Sequence, residues 1–140
     1  MSVADLKART QQIFDTFNTH DAEETAALFA EDAVLHDSGV ARPAVGPQQI
    51  AALYTRHYAA IPDAHVRVDR MVAEADTVVV EWTSSGTHRG KLMGIPPTGK
   101  QVNFKGVSLI RYRSGLAIAD TRLWDLAGLL RQIGLLPSQE

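Results

Sequence analysis

The chain has 140 residues, of which 45% are hydrophobic, so it has the usual size of one domain and can bury a core. Its formal net charge of -2 leaves no excess of Lys and Arg for neutralising phosphates, and we expect no nucleic-acid partner. It has no Cys, which excludes disulfides and thiolate metal sites, and no apolar run approaches the length of a membrane span. We therefore expect one cytoplasmic domain over residues 1–140 with no membrane partner.

The first half of the chain predicts three helices and one short strand. Apolar residues recur every three or four positions over residues 3–18, which predicts a helix with one apolar stripe. Asp21 and Glu24 resemble a capping box, so we expect a short helix over residues 22–30, followed by a brief strand over residues 33–37. The Gly and Pro of residues 38–46 predict a loop suited to act as a lid. Pro47 then begins a third helix, which Pro62 ends.

The second half predicts four antiparallel strands and a last helix. Alternating apolar and polar side chains predict strands over residues 65–74, 76–87, 101–112 and 116–124. A loop rich in Gly and Pro joins the second and third of these strands, and the last helix ends at Gly134. This order predicts an α+β domain in which helices pack on one face of a strongly curved sheet. Such a sheet is expected to enclose an apolar cavity that binds a ligand.

Several motifs of the second half resemble those of one known family. They are GTHRGKLMGIPPTGK at residues 86–100, Gly106-Val107, Ile110-Arg111, Gly115, Trp124-Asp125, and LLRQIGLLP at residues 129–137. Together they resemble the SnoaL-like polyketide cyclases, or predicted ester cyclases. The resemblance implies a nuclear-transport-factor-2-like, ketosteroid-isomerase-like (cystatin-like) fold, a cone-shaped barrel of mixed and antiparallel strands around the N-terminal helices. It also implies an enzyme without a cofactor, in which an acidic residue drives ring closure of an aromatic polyketide ester by aldol condensation.

The catalytic candidates are carboxylates and imidazoles on the expected cavity face. Removing a proton next to a carbonyl requires a base whose pKa is raised by burial. The resemblance puts the acidic residue on the last strand, where this chain has Asp120 and Asp125. Either can have another role, because Asp125 is placed to cap the last helix and Asp120 to pair with Arg122 in solvent. His36 and His88 are candidates to assist, with a wall or loop-anchoring role open for each.

The substrate-binding candidates are aromatic residues and one cation. Trp82 and Trp124 each supply a flat apolar surface and one donor. Arg122 has the same strand parity as Asp120 and Trp124, so these side chains form one row if that face points inward. Four residues at helical spacing are assigned to the cavity wall or to the core: Phe14, Phe17, Tyr54 and Tyr58.

The other histidines and the outer sheet face complete the predictions. Packing or solvent-exposed roles are assigned to His20, His57 and His65. No His spacing is typical of a metal site, so we expect no metal and no cofactor. Outward apolar residues of the last two strands predict a homodimer in which a second copy covers Val107, Leu109 and Leu123.

The sequence thus predicts an enzyme that cyclises or isomerises a small hydrophobic carbonyl or ester compound. Such an enzyme falls in the lyase or isomerase class. Two alternatives stay open. One is a limonene-epoxide-hydrolase-like enzyme, which needs an Asp-Arg-Asp cluster that Asp120 and Arg122 supply in part. The other is a module that binds a small molecule without turning it over.

Overall fold

The computed structural model describes residues 1–138 as four helices packed against one six-stranded sheet. The helices are α1 (Val3–Thr19), α2 (Ala22–Ala26), α3 (Gly46–Ala60) and α4 (Leu126–Gln132). The strands are β1 (Phe29–Asp37), β2 (Ala44–Val45), β3 (His65–Glu74), β4 (Thr77–Thr87), β5 (Gln101–Arg113) and β6 (Leu116–Trp124). Over the described range, no helix combines the length and the hydropathy needed to cross a membrane.

The strands form a single sheet in the order β2-β1-β6-β5-β4-β3. Strands β1 and β6 are parallel, and the other neighbours are antiparallel. The α+β class is confirmed, and the sheet is mixed as predicted. It is open, however, because β2 and β3 form its two edges, so the expected barrel does not close.

Local sequence explains where the first and third helices begin. The hydroxyl of Ser2 accepts a hydrogen bond from the backbone N–H of Asp5, and the Asp5 carboxylate accepts one from the N–H of Ser2, forming a capping box. Helix α3 has Pro47 in its first turn, where a missing N–H removes no helical hydrogen bond. It ends before Pro62, as predicted.

The core lies between the helices and the inner face of the sheet. Strand β5 shows the pattern clearly, because its buried residues Val102, Phe104, Ile110 and Tyr112 alternate with exposed ones. Tyr112 is also linked to α1, since its hydroxyl lies 2.7 Å from that of the buried Thr10. This contact links α1 to the inner face of β5.

Candidate active site

A cavity of about 620 Å³ lies between α1, α3 and the inner face of the sheet. Its volume is in the range of small-molecule binding sites. Most of its wall is apolar, and the polar groups used below come from β1, α3, β5 and β6. All the predicted substrate-binding residues except Tyr58 border it, and Phe104 adds another aromatic ring: Phe14, Phe17, Tyr54, Trp82, Phe104, Arg122 and Trp124.

Strand β6 carries the ionisable centre of this cavity. Its row of Asp120, Arg122 and Trp124 borders the cavity, as expected from strand parity. Asp120 is only 1% exposed, and its Oδ2 accepts hydrogen bonds from both Nε and Nη2 of Arg122 at 3.1 Å. The ion pair therefore joins a buried carboxylate to a guanidinium side chain that is 16% exposed, whereas one interpretation of the sequence placed Asp120 in solvent.

Helix α3 adds a phenol to this pair. Tyr54, which is buried, accepts a hydrogen bond from Nη2 of Arg122, and the guanidinium carbon lies 4.9 Å from the centroid of the Tyr54 ring. Burial raises the pKa of Tyr54, although Arg122 opposes the rise, so the phenol stays protonated at neutral pH. The three side chains thus form one connected chain from α3 to β6.

Burial controls the ionisation of Asp120. It raises the pKa of the carboxyl above its ordinary value, and the charge and hydrogen bonds of Arg122 partly offset that rise. Burial lowers the pKa of Arg122. Asp120 and Tyr54 together raise that pKa by a larger amount, so the guanidinium remains charged. The second oxygen of Asp120, Oδ1, is buried and has no hydrogen-bond partner among residues 1–138. Its hydrogen-bonding capacity is therefore not used by any group of the described chain.

Asp37, at the end of β1, organises the wall around Trp124. Its Oδ1 accepts hydrogen bonds from the indole Nε1 of Trp124 at 2.7 Å and from the N–H of Gly39 at 2.8 Å. A Cβ at Gly39 would lie 2.4 Å from Cζ2 of Trp124, so only Gly allows this approach. One carboxylate thus fixes both the indole and the start of the loop that was predicted as a lid.

Trp82 continues this wall across the sheet, because Gly106 of β5 pairs with Trp82 on one side and with Trp124 on the other. Its indole Nε1 donates to Oγ of the buried Ser108 at 2.9 Å, which satisfies the polar end of an otherwise apolar ring. Phe104 connects the two indoles, with ring centroids 6.1 Å from Trp82 and 5.0 Å from Trp124. The result is a continuous aromatic wall.

His57 also borders the cavity, although its sequence context predicted a packing or solvent-exposed role. It follows Tyr54 by three positions on α3, and it borders the cavity instead of only packing in the core. Its Nε2 is buried without a partner in the described part of the chain. Burial, followed by the charge of Arg122, lowers the pKa of His57 to about 4. The signal available in the sequence was its spacing from Tyr54.

The structure corrects the expected position of three catalytic candidates. Asp125 caps α4, because its Oδ1 accepts from the N–H of Gly128 at 2.9 Å, and it does not border the cavity. His36 is exposed because it alternates with the buried Leu35 on β1. His88 is fully buried but lies outside the cavity wall, where its Nδ1 is 3.0 Å from Oγ1 of Thr98.

Tyr58 also lies outside the cavity wall. Its hydroxyl donates to the backbone carbonyl of Phe17 at 2.8 Å, and its ring stacks on His20 with centroids 4.4 Å apart. It therefore joins α3 to α1, which is a packing role.

Comparisons with known proteins agree with this architecture. Residues 8–133 match the sequence profile described as SnoaL-like polyketide cyclase. The chain is 31% identical over 133 residues to the aklanonic acid methyl ester cyclase DnrD of Streptomyces peucetius, covering 93% of this chain and 89% of that protein. It is also 31% identical over 133 residues to DauD of Streptomyces sp. (strain C5), which bears the same description, covering 93% and 80%.

Solved structures show the same fold. AclR from Streptomyces galilaeus, a candidate hydroxylase, superposes with a TM-score of 0.87 at 26% identity, covering 99% of this chain and 91% of AclR. A Catenulispora acidiphila protein with a ketosteroid isomerase-like fold gives a TM-score of 0.81 at 21% identity, covering 91% and 93%. The chain therefore has the predicted nuclear-transport-factor-2-like, ketosteroid-isomerase-like fold and belongs to the SnoaL-like polyketide cyclase family.

Proposed function

We propose that the protein is a cyclase that closes a ring in an aromatic polyketide ester by intramolecular aldol condensation, with Asp120 as the acid/base residue. The observation that carries the proposal is the unpartnered Oδ1 of Asp120, a buried carboxylate oxygen in the wall of an apolar cavity. A carboxylate with a raised pKa in such surroundings is suited to removing a proton from carbon. The description of DnrD and DauD as aklanonic acid methyl ester cyclases supports the substrate class.

The proposed reaction conserves all atoms of the substrate. Oδ1 of Asp120 takes a proton from a carbon next to a carbonyl, and the electrons of the broken C–H bond form an enolate. The enolate carbon attacks a second carbonyl carbon of the same molecule and forms the new C–C bond. The alkoxide produced there takes the proton back from Asp120, so the product is an isomer of the substrate and the enzyme is regenerated.

Arg122 is proposed to stabilise the negative charge that develops on oxygen. Its Nε and Nη2 are held by Asp120 and Tyr54, while Nη1 has no partner in the described structure and is available to a ligand. A fixed cation in an apolar site is effective because water does not screen it. Tyr54 keeps the guanidinium in place and remains neutral, so it acts as a positioning residue.

The cyclase reaction is tested with aklanonic acid methyl ester and the Asp120→Asn variant. We expect the wild type to yield a product of unchanged mass and new retention time in liquid chromatography–mass spectrometry. Asp120→Asn should lower kcat by about 100-fold or more, the usual contribution of a general base. Asp125→Asn is the matched control, because that carboxylate caps α4 outside the cavity wall, and it should change kcat by less than about threefold at a temperature where it is folded. Equal rates for the two variants would refute the role of Asp120.

The pH profile provides a second test. Because burial raises the pKa of Asp120, we expect kcat/KM to rise with pH along a limb centred above the ordinary carboxyl range. The residual activity of Asp120→Asn should lack that limb. If the pH profile of the variant kept that limb, the titration would belong to a group other than Asp120.

Epoxide hydrolysis is the second candidate, because Asp37 borders the same cavity as Asp120 and Arg122. The hydrogen bonds argue against it. Arg122 bonds to Asp120 and Tyr54, whereas Oδ1 of Asp37 bonds to Trp124 and Gly39, so the guanidinium does not join the two carboxylates by these bonds. Reaction in ¹⁸O-labelled water separates the two enzymes, since a hydrolase adds one labelled water and a cyclase adds none.

A further inference from the structure

His57 is a polar cavity residue that the proposed reaction does not use. It lies one helical turn from Tyr54 on α3, so both side chains project to the same side of the helix. Its Nε2 is shielded from solvent and lacks a hydrogen-bond partner within residues 1–138. Buried polar atoms are almost always paired in native proteins, so this atom requires an explanation.

The surroundings of His57 hold a neutral ring in a defined position. Phe17 contacts one side of it, with ring centroids 5.5 Å apart, and Tyr58 lies 6.3 Å away. Three charged or titratable groups act on it: Arg122 and His20 oppose its protonation, and Asp37 favours it. Burial outweighs all three, and with a pKa of about 4 the ring is neutral at pH 7. A neutral imidazole offers one N–H donor and one acceptor.

We propose that Nε2–H of His57 donates a hydrogen bond to a carbonyl oxygen of the bound substrate and so determines which carbonyl group faces Asp120. This inference rests on the proposed cyclase function, because carbonyl oxygens are the main polar atoms of a polyketide ester. Nε2 of His88 is also unpaired within residues 1–138, but His88 lies outside the cavity, whereas His57 borders it. The ring is also uncharged at working pH, so its contribution is orientation of the ligand. A site that forms a hydrogen bond to a ligand discriminates strongly against analogues that lack the partner atom. His57 is therefore proposed as a specificity residue.

Binding of 1,8-dihydroxyanthraquinone, a flat tricyclic ketone, tests the proposal without any turnover. Trp82 and Trp124 border the cavity, so the probe is expected to quench their fluorescence and yield a Kd. In His57→Phe, which keeps a flat ring and removes the donor, we expect Kd to rise by roughly tenfold, as for one lost hydrogen bond. His57→Gln keeps a donor and should raise Kd by less.

The stability of the ligand-free variants separates binding from packing. Since Nε2 has no partner in residues 1–138, His57→Phe removes a buried polar atom and breaks no hydrogen bond of Nε2, so Tm at pH 7 should stay equal or rise. A supporting result is therefore weaker binding at unchanged or higher Tm. Equal Kd values for wild type and His57→Phe, or no binding of the probe to the wild type, would overturn the proposal.

The cyclase assay keeps the two proposals distinct. If the wild type cyclises the ester and His57→Phe leaves KM unchanged, the hydrogen bond is wrong and the cyclase function stands. If the probe binds in a His57-dependent manner but no ester is cyclised, the function is wrong and the hydrogen bond stands. If His57→Phe does not fold, the ¹⁵N shift of Nε2 in wild-type protein must change on adding the probe, and an unchanged shift overturns the proposal.

Discussion

Replacing His57 with Phe is expected to make the protein less sensitive to acid. In the folded protein burial and Arg122 lower the pKa of His57 from 6.5 to about 4. A group with a depressed folded pKa must lose its charge to be buried, so its stabilising contribution is present above pH 6.5 and is lost as the pH falls towards 4. From these two values the loss is about 2 kcal/mol at pH 5 and about 3 kcal/mol at pH 4.

Urea unfolding followed by Trp fluorescence at several pH values measures this loss. Wild type and His57→Phe should have similar free energies of unfolding at pH 7 and should diverge by about 2 kcal/mol at pH 5, with the variant more stable. His36→Phe is the matched control, because it removes an exposed imidazole and should follow the wild type. Parallel curves for wild type and His57→Phe between pH 7 and pH 5 would refute the reasoning, since they would mean that His57 is not buried in neutral form.

Three other predictions concern packing, the guanidinium and the outer face of the sheet. A Cβ at Gly106 would lie 2.3 Å from Cζ2 of Trp82, so Gly106→Ala should lower the free energy of unfolding by about 1–3 kcal/mol in urea titrations. Tyr54→Phe removes the acceptor that holds the guanidinium and should lower kcat by roughly tenfold at a similar Tm, whereas an unchanged kcat would contradict the positioning role. Leu109 and Leu123 are 40% and 56% exposed on β5 and β6, so we expect a homodimer through this face, and light scattering should give a dimer that Leu109→Glu converts to monomer.

Most elements of the fold could be predicted because local patterns determine them. The bounds of β3 and β6 agree with the prediction, since alternation and flanking turns mark both strands. Strand β1 begins at Phe29, four residues earlier than predicted, because residues 29–30 suit a helix locally but become a strand through pairing of Phe29 with Ala117. Strand β2, which pairs with β1, was not predicted. It has only two residues, too few to show the alternation of side chains that marks a strand in the sequence.

The candidate site was predictable where one strand determines it. Parity along β6 was sufficient to place Asp120 and Arg122 together, because alternate residues of a strand share a face. Asp125 was ambiguous, since an Asp before a helix suits both a cap and a catalytic site. His57 and Asp37 were missed as cavity residues because their surroundings depend on elements far apart in sequence, namely α1, α3, β1 and β6.

The largely buried ion pair of Asp120 and Arg122 is better explained by chemistry than by stability. A buried ion pair is often no more stabilising than apolar side chains of similar volume, because both charges lose their water. Burial alone would favour a protonated Asp120, which could not act as a base, and Arg122 opposes that effect. Arg122 in turn is held by Tyr54 from another element, so the guanidinium cannot turn away from the carboxylate freely. The three residues therefore form one functional unit. The apolar wall raises the pKa of Asp120, and the fixed guanidinium of Arg122 limits that rise, so that the carboxyl can still ionise and act as a base.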